Sequence, residues 1–425
     1  MRRVVMMSSL LLAACTHSDF FYPTEDFAMS RFSTIDATLA FTCKHESIPA
    51  APEETDVLFH YARWLQKNNQ LKRDKVVYTE IERLYRIAAE NGHHKANINL
   101  QNGSLRKEFD VRGAEFLRLS QALVKADVPT GYYFVGLFLK SGSAGLRQDQ
   151  EMSLRYMRKA ADEGSAQAQA YVADRLAPIE IAPDVARQMR RCAAEQGHGR
   201  AARALGVNMS TKGRYQNSLE AFQLGVAAGD ESAASFLENG FRGPVSVNHL
   251  YYLGQEKDLE RAERYEKIWQ VLANYSYANP KVPEINEIVP LPPAELPAWD
   301  GKLQWLEERL ANIPPEKPSE AFITRLANAM KLDPATGKAL PGSPAFSQAN
   351  FPVQICYTGE ACLETDYCKV LWSSLRAVRP KEVIKHFNEG DIFPMQTVER
   401  YHLRPWPLSD KTSYRDEVVE WGLIG

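Results

Sequence analysis

Cysteine, histidine, serine and clustered carboxylates are the residues of this chain that could do chemistry, and their spacing limits what each can do. Cys356, Cys362 and Cys368 recur every six residues. In an oxidising compartment such a cluster suits one disulfide, with the pairing left open by sequence and free thiols as the alternative. Zinc is a third reading, but no Cys-x-x-Cys pair occurs and structural zinc usually takes tight pairs. Cys192 is expected on a buried helix face and inert, while Cys43 either takes the remaining partner or stays free. His93 and His94 are adjacent, so on a helix they point about 100° apart and cannot share one metal ion. Ser141-Gly-Ser-Ala-Gly145 approaches a nucleophile elbow, but it lacks the leading glycine and falls in a loop. No His-Glu-x-x-His helix, Walker loop or His-x-Lys-x4-Asp pattern is present. No catalytic residue, cofactor or metal ion is therefore expected, and the chain reads as a non-enzyme. Glu360, Glu364 and Asp366 form an acidic run that could engage a basic, phosphate-binding cleft of a protein partner; a solvated loop is the plainer reading.

The sixth cysteine belongs to the start of the chain. Arg2 and Arg3 precede an apolar run, Val4 to Leu12, which ends in Leu12-Ala13-Ala14-Cys15. The run is too short to span a bilayer, and a basic start, short apolar core and small-residue cut make an export signal. The last four positions resemble a bacterial lipobox, in which the cysteine thiol accepts a diacylglyceryl group. That resemblance implies residues 1–14 as a signal peptide, Cys15 as lipid anchor and a periplasmic protein held on a membrane by its acyl chains. Thr16 in place of an aspartate points to the outer membrane. Loss of Arg2 and Arg3 leaves 49 basic against 53 acidic side chains, a near-neutral balance that speaks against nucleic-acid binding.

The elements that must carry any function come from a repeat. LYRIAAENGHHKANINL from Leu84, YMRKAADEGSAQAQAYV from Tyr156, QMRRCAAEQGHGRAARAL from Gln188 and AFQLGVAAGDESAASFL from Ala221 align on Gly92, Gly164, Gly197 and Gly229. A further copy from Ser120 carries Asp127-Val-Pro at that place, so its turn geometry is the least defined. The anchors 92, 127, 164, 197 and 229 recur every 32 to 37 residues. Each unit reads as an apolar first helix, a glycine turn in left-handed conformation and an alanine-rich second helix. Asp149, Thr130 and Asp184 are expected as helix N-caps. His198 repeats the place of His93, which suggests a structural bond to a helix-end carbonyl. One pair cannot bury its own face, so pairs stack into a solenoid.

The A-A-[ED]-x-G-[HS] turn and this period resemble Sel-like repeats, relatives of the tetratricopeptide class, over about residues 55–240. The resemblance implies a right-handed α-solenoid whose concave face receives protein partners. Core packing alone is the plainer reading of the repeat Ala, Leu and Tyr residues. Residues 256–277 are expected as one capping helix. NPKVPEINEIVPLPPAELPAW, with prolines at 280, 283, 290, 292, 293 and 297, reads as a polyproline-like strap pinned by Ile285, Ile288, Val289 and Leu291, or else as a flexible linker. Short helices are expected over 299–312 and 319–332, and strands at 353–357, 395–401 and 418–424. The expected architecture is thus mainly α: a tether over 15–54, a repeat solenoid over 55–277, a strap over 278–340 and a small disulfide-containing α+β domain over 341–425.

Ile288-Val-Pro-Leu-Pro-Pro-Ala, Leu296-Pro-Ala-Trp-Asp-Gly301 and Glu389-Gly-Asp-Ile-Phe-Pro-Met395 resemble the terminal domain, without assigned biochemistry, of a set of Gram-negative Sel-like-repeat lipoproteins. Lipoproteins of this layout resemble those encoded beside type VI secretion lipase effectors, particularly phospholipase-D-like ones. This implies an immunity protein whose partner is such an effector, bound by first-helix side chains and the loop around Cys356–Cys368. A second resemblance, to the lipoprotein scaffold of alginate export, implies an envelope assembly role instead.

Overall fold

The computed structural model describes residues 40–111, 113–177, 182–248, 250–345, 355–360, 366–371, 384–387, 390–402, 411–417 and 420–423. Residues 1–14, expected as a signal peptide, and Cys15, Cys362 and Glu364 lie outside the described residues. Helix α1 (Glu53–Asn69) precedes a run of helix pairs: α2 (Lys75–Glu90) with α3 (His94–Leu105), α4 (Ala114–Lys125) with α5 (Thr130–Ser141), α6 (Gln150–Glu163) with α7 (Ala166–Leu176), α8 (Pro183–Glu195) with α9 (Gly199–Thr211), and α10 (Tyr215–Ala227) with α11 (Glu231–Phe241). Consecutive helices pack on one another along the chain, which makes the fold an α-solenoid. Helix α12 (Leu259–Asn274) covers the last pair, within the span expected for the capping helix.

Why each pair turns where it does is visible in the backbone. At the end of α6 the amide of Gly164 bonds Ala161 O and that of Ser165 bonds Ala160 O, at 3.2 and 2.8 Å. The same double bond recurs at Gly92–His93, Gly197–His198 and Gly229–Asp230, the Schellman closure that needs a left-handed residue. Asp127 occupies that place in the second unit, at φ 55°, with Val128 N on Leu123 O at 2.9 Å. The departing copy therefore makes the same turn. Aspartate is among the few non-glycine residues that tolerate this conformation.

The residue after each turn starts the second helix. Ser165 and Asp230 accept from the amides of Ala168 and Ala233. His93 and His198 do so through Nδ1, at 3.1 Å to Ala96 N and Ala201 N. The histidines thus cap a helix start by accepting from amides, which corrects the expected bond to a carbonyl. Asp149 caps α6 as expected, accepting from Met152 N at 3.0 Å. Thr130 and Asp184 instead lie inside the first turns of α5 and α8, whose flanking residues are Pro129 and Ala182.

Two extended segments run along the turns. Residues 40–52 cross the row from α8 back to α2. Cys43 is disulfide-bonded to Cys192 in α8, which corrects the expectation that Cys192 is an inert core thiol. His45 lies against Gly164, where a Cβ would come within 2.8 Å of the His45 backbone carbon. Gln169 Nε2 donates to Lys44 O at 2.9 Å, and Glu46 N donates to Gln196 Oε1 at 2.8 Å. At the far end the strap takes over: Val282 N bonds Ala227 O at 3.1 Å, and the Pro280 carbonyl sits where a Gly229 side chain would begin.

The strap is pinned. Val282, Ile285 and Val289 are fully buried beside Tyr265, Ile268 and Leu272, with Ile288 and Leu291 packed on the same cluster. Its backbone carbonyls, which no ladder satisfies, accept from side chains of the solenoid. Arg264 Nη1 reaches Ile288 O at 2.7 Å, Gln223 Nε2 reaches Val289 O at 2.7 Å and Arg261 Nε reaches Pro290 O at 3.2 Å. After the short α13 (Ile285–Ile288), α14 (Gln304–Ala311) and α15 (Glu320–Ala329) follow. Helix α14 starts five residues later than the expected 299, because Trp299 and Leu303 are spent on the strap cluster. Helix α15 returns to the beginning of the solenoid, where Ile323, Leu326 and Leu332 join Leu58, Leu84 and Ile87 in one core. Arg86, buried in that junction, holds Glu82 and Glu115 and donates to Thr336 O.

Beyond residue 345 the described segments are strands: β1 (Ile355–Tyr357), β2 (Asp366–Leu371), β3 (Ile384–Phe387), β4 (Gln396–His402), β5 (Lys411–Glu417) and β6 (Glu420–Leu423). They form a sheet in the order β1-β6-β2-β3 and a β4-β5 hairpin, all antiparallel. Trp421 is fully buried against Phe387 and Phe393.

Candidate partner-binding surfaces

The serine, histidine and cysteine positions singled out in the repeat region make structural contacts. Ser141, the last residue of α5, donates through Oγ to Leu137 O at 3.0 Å and meets Ser143 Oγ in the following loop at 2.7 Å; no base adjoins it in these bonds. Cys43, His45 and Cys192 bring three donor atoms within 4.8 Å, but the two sulfurs are bonded to each other, leaving His45 as the one available ligand of the three. No described helix is long and apolar enough to cross a membrane.

The C-terminal acidic run is only partly described. Glu360 is exposed at the turn after β1, its backbone oxygen accepting from Phe393 N at 3.0 Å. Asp366 opens β2, opposite Phe387 in β3. Cys356 in β1 faces Trp421 in β6, and Cys368 in β2 faces Leu423 on the other side of β6. Two strand spacings, about 10 Å, therefore separate their backbones, wider than the roughly 7 Å that a disulfide spans between α-carbons.

What the solenoid offers is shaped surface on both helix layers. Between first helices α8 and α10 and the strap lies a groove of about 300 Å³, lined by Arg191, Glu195, Glu220, Gln223, Ile285 and Leu291. Arg191 is held loosely there, 3.9 Å from Glu195 and 3.7 Å from Glu220. On the second-helix side a groove of about 600 Å³ is lined by Tyr133, Gln167, Tyr171, Asp174, Arg175 and His198. Lys140 and Arg175 both lie over the Tyr171 ring, at 5.1 and 5.4 Å. Burial lowers the His198 pKa, in keeping with an Nδ1 that must stay unprotonated to cap α9. The resemblance to Sel-like repeats pointed to the first-helix layer as the binding face. The second-helix groove was missed; its signal is Tyr132 and Tyr133 on α5 together with Tyr171 on the otherwise alanine-rich α7.

A helical-repeat solenoid with grooved, aromatic and charged faces is the class of protein these features define. A family model described as a domain of unknown function, DUF6396, matches residues 233–340. The match runs from α11 through α15 and takes in the two proline-rich strings from Ile288 and Leu296, but not the string from Glu389. Among curated proteins there is no match. Among solved structures the chain is similar to the immunity protein Pa5087 of Pseudomonas aeruginosa, at 23% identity over 60% of this chain and 95% of that one, with a TM-score of 0.47. The immunity protein PA5088 of the same organism is similar at 23% identity, over 60% and 94%, with a TM-score of 0.47. A Sel1 repeat protein of Oxalobacter formigenes is similar at 17% identity, over 52% and 98%, with a TM-score of 0.37.

Proposed function

We propose that this chain is a periplasmic, membrane-anchored immunity protein that binds and neutralises an antibacterial phospholipase effector of type VI secretion, of the phospholipase-D-like kind. The observation that carries the reading is the pairing of the Leu12-Ala-Ala-Cys15 lipobox resemblance with a solenoid whose described residues present wide recessed surfaces. A tethered binder needs no reaction of its own. It needs complementary area and a few buried aromatic or arginine anchors, on the side of the membrane where the effector arrives. The Cys43–Cys192 bridge suits an oxidising compartment, and the lipid on Cys15 would hold the protein to the outer membrane.

The test is periplasmic co-expression of the mature chain with the effector encoded beside its gene, together with a binding measurement on the purified pair. Survival of the cells and a micromolar or tighter Kd are expected. Lysis without measurable binding would sink the reading. Replacing Glu360, Glu364 and Asp366 by lysine should weaken binding if that loop contributes, and unchanged affinity removes it from the interface. A scaffold role in polysaccharide export is the second reading; it requires an envelope defect on deletion in a strain that lacks the effector.

A further inference from the structure

Helix α14 joins the two ends of the solenoid, and an unusual group of side chains gathers where it does so. From α1, Lys67 Nζ donates to Glu308 O at 3.3 Å, and Asn68 and Asn312 bond each other reciprocally at 3.1 and 2.8 Å. From the end of α12, Tyr275 packs edge-on to Trp305 with ring centres 5.7 Å apart. Arg309 sits between these ends. Its guanidinium lies 5.9, 5.4 and 5.5 Å from the ring centres of Tyr275, Tyr277 and Trp305, and its side-chain hydrogen bond runs to Gln70 Oε1 at 3.4 Å.

Among the described residues neither Arg309 nor Lys67 has a carboxylate within ion-pair distance, although nearly every other part-buried arginine of the solenoid does, Arg86, Arg118 and Arg264 included. Two cations side by side repel. Burial first, and the Arg309 charge second, push the Lys67 amine below its ordinary pKa, and the nearby Glu308 carboxylate offsets only part of this. An anion placed between them would relieve both effects. Next to Arg309 in α14, Leu310 is 65% exposed, and Ile313, just past the left-handed Asn312 that ends the helix, is 79% exposed.

We propose that this junction is a docking site for a protein partner, taking a carboxylate side chain of the partner between Arg309 and Lys67 while apolar residues flanking it cover Leu310 and Ile313. The chemistry is complementary on each count. Arginine offers a planar fork that matches a carboxylate, the Tyr275, Tyr277 and Trp305 rings lie within cation–π distance of it, and Trp, Tyr and Arg are the residues that dominate protein interfaces. The proposal deepens the immunity reading, on which the identity of the partner rests. The site also lies on α14, far in sequence from the C-terminal acidic loop, so the two are separable.

The experiment has two arms, each with the full mature chain. In the first, a random display library of peptides about twelve residues long is selected on the wild-type protein, on Arg309→Ala and on Leu310→Glu. Peptides bearing Asp or Glu between apolar residues are expected, with titres roughly tenfold or more lower on both variants, as for a hot-spot loss. Leu310→Glu alters an exposed position and leaves folding intact, which covers the case in which Arg309→Ala loosens the junction. Thermal melting checks each variant. In the second arm, the adjacent effector is bound and treated with a carbodiimide, and mass spectrometry is expected to find Lys67 joined to an effector Asp or Glu. Selection of no acidic peptides, or equal titres on all three proteins, overturns the docking site. Acidic peptides that bind at this junction while the effector binds nowhere would overturn the immunity reading and leave the site standing.

Discussion

Glu46 caps a helix that starts 84 residues away: its carboxylate accepts from both the amide and the hydroxyl of Thr130, at 2.7 and 2.9 Å. The residue before α5 is a proline, whose side chain cannot cap, so the orphan donors of that helix start are met from the N-terminal segment. Glu46→Ala is expected to destabilise the protein by about 1–2 kcal/mol, the range of a lost N-cap, whereas Glu46→Gln retains an acceptor and costs less. Denaturant midpoints of the two variants check this; equal losses would show that the charge rather than the cap matters.

Cys43 and Cys192 close a loop of 149 positions. Reduction, or the Cys43→Ser/Cys192→Ser pair, is expected to lower stability by about 2–5 kcal/mol and to free residues 40–52 from the turn row. Limited proteolysis reads the second effect directly. Cleavage near His45 should appear only with reductant, and an unchanged digestion pattern would show that hydrogen bonds alone hold the segment.

Acid should loosen the repeat turns. His93 is fully buried, capping α3 through Nδ1 while Nε2 meets Asp56 Oδ1 at 3.0 Å. Burial lowers its pKa more than Asp56 restores it, and His198 is lowered by burial likewise. A histidine depressed in the folded state binds its proton more readily when unfolded. Stability is therefore complete above the ordinary histidine value of about 6.5, and falls as pH drops below it towards the folded-state values. Asn retains a capping oxygen without a titrating ring, so His93→Asn with His198→Asn should flatten the fall between pH 7 and 5. A double variant as acid-sensitive as wild type would refute the assignment.

Glycine is required at Gly229 for two reasons and at Gly213 for one. Both have positive φ, 88° and 68°, but a Cβ at Gly229 would lie 1.9 Å from Pro280 O, whereas Gly213 faces open space. Gly213→Ala should cost about 1 kcal/mol, the penalty for a left-handed alanine. Gly229→Ala should cost several-fold more and release the strap, seen as faster hydrogen exchange at Val282 and Val289. Equal costs would mean that the strap moves aside freely.

Much of this was legible in sequence because it is local. Gly92, Gly164, Gly197 and Gly229 announce their turns, since few residues accept that backbone, and helical spacing of Leu84, Ile87 and Ala88 announces a buried stripe. Asp127 hid the same turn because a rarer residue takes the glycine conformation. Strands at 355–357, 396–402 and 420–423 fell where apolar runs suggested them. Strands β2, β3 and β5 were missed, because Asp-Tyr-Cys-Lys-Val-Leu and Lys-Thr-Ser-Tyr-Arg-Asp-Glu carry too many polar residues to show as β sequences before their partners are known. The second-helix groove was missed for a related reason: Tyr133 and Tyr171 belong to different units and meet only when those units stack.

The amino-acid sequence alone determined the repeat period, the handed turn at the four glycine anchors and the proline strap, because backbone conformation and helical periodicity are properties of neighbouring residues. Only the tertiary structure decided that Cys43 pairs with Cys192, that Glu46 caps α5, and that α14 brings Lys67 and Arg309 together. Each of these joins residues separated by tens to hundreds of positions, and their proximity follows from how many units stack and how far the strap reaches, which no short segment encodes.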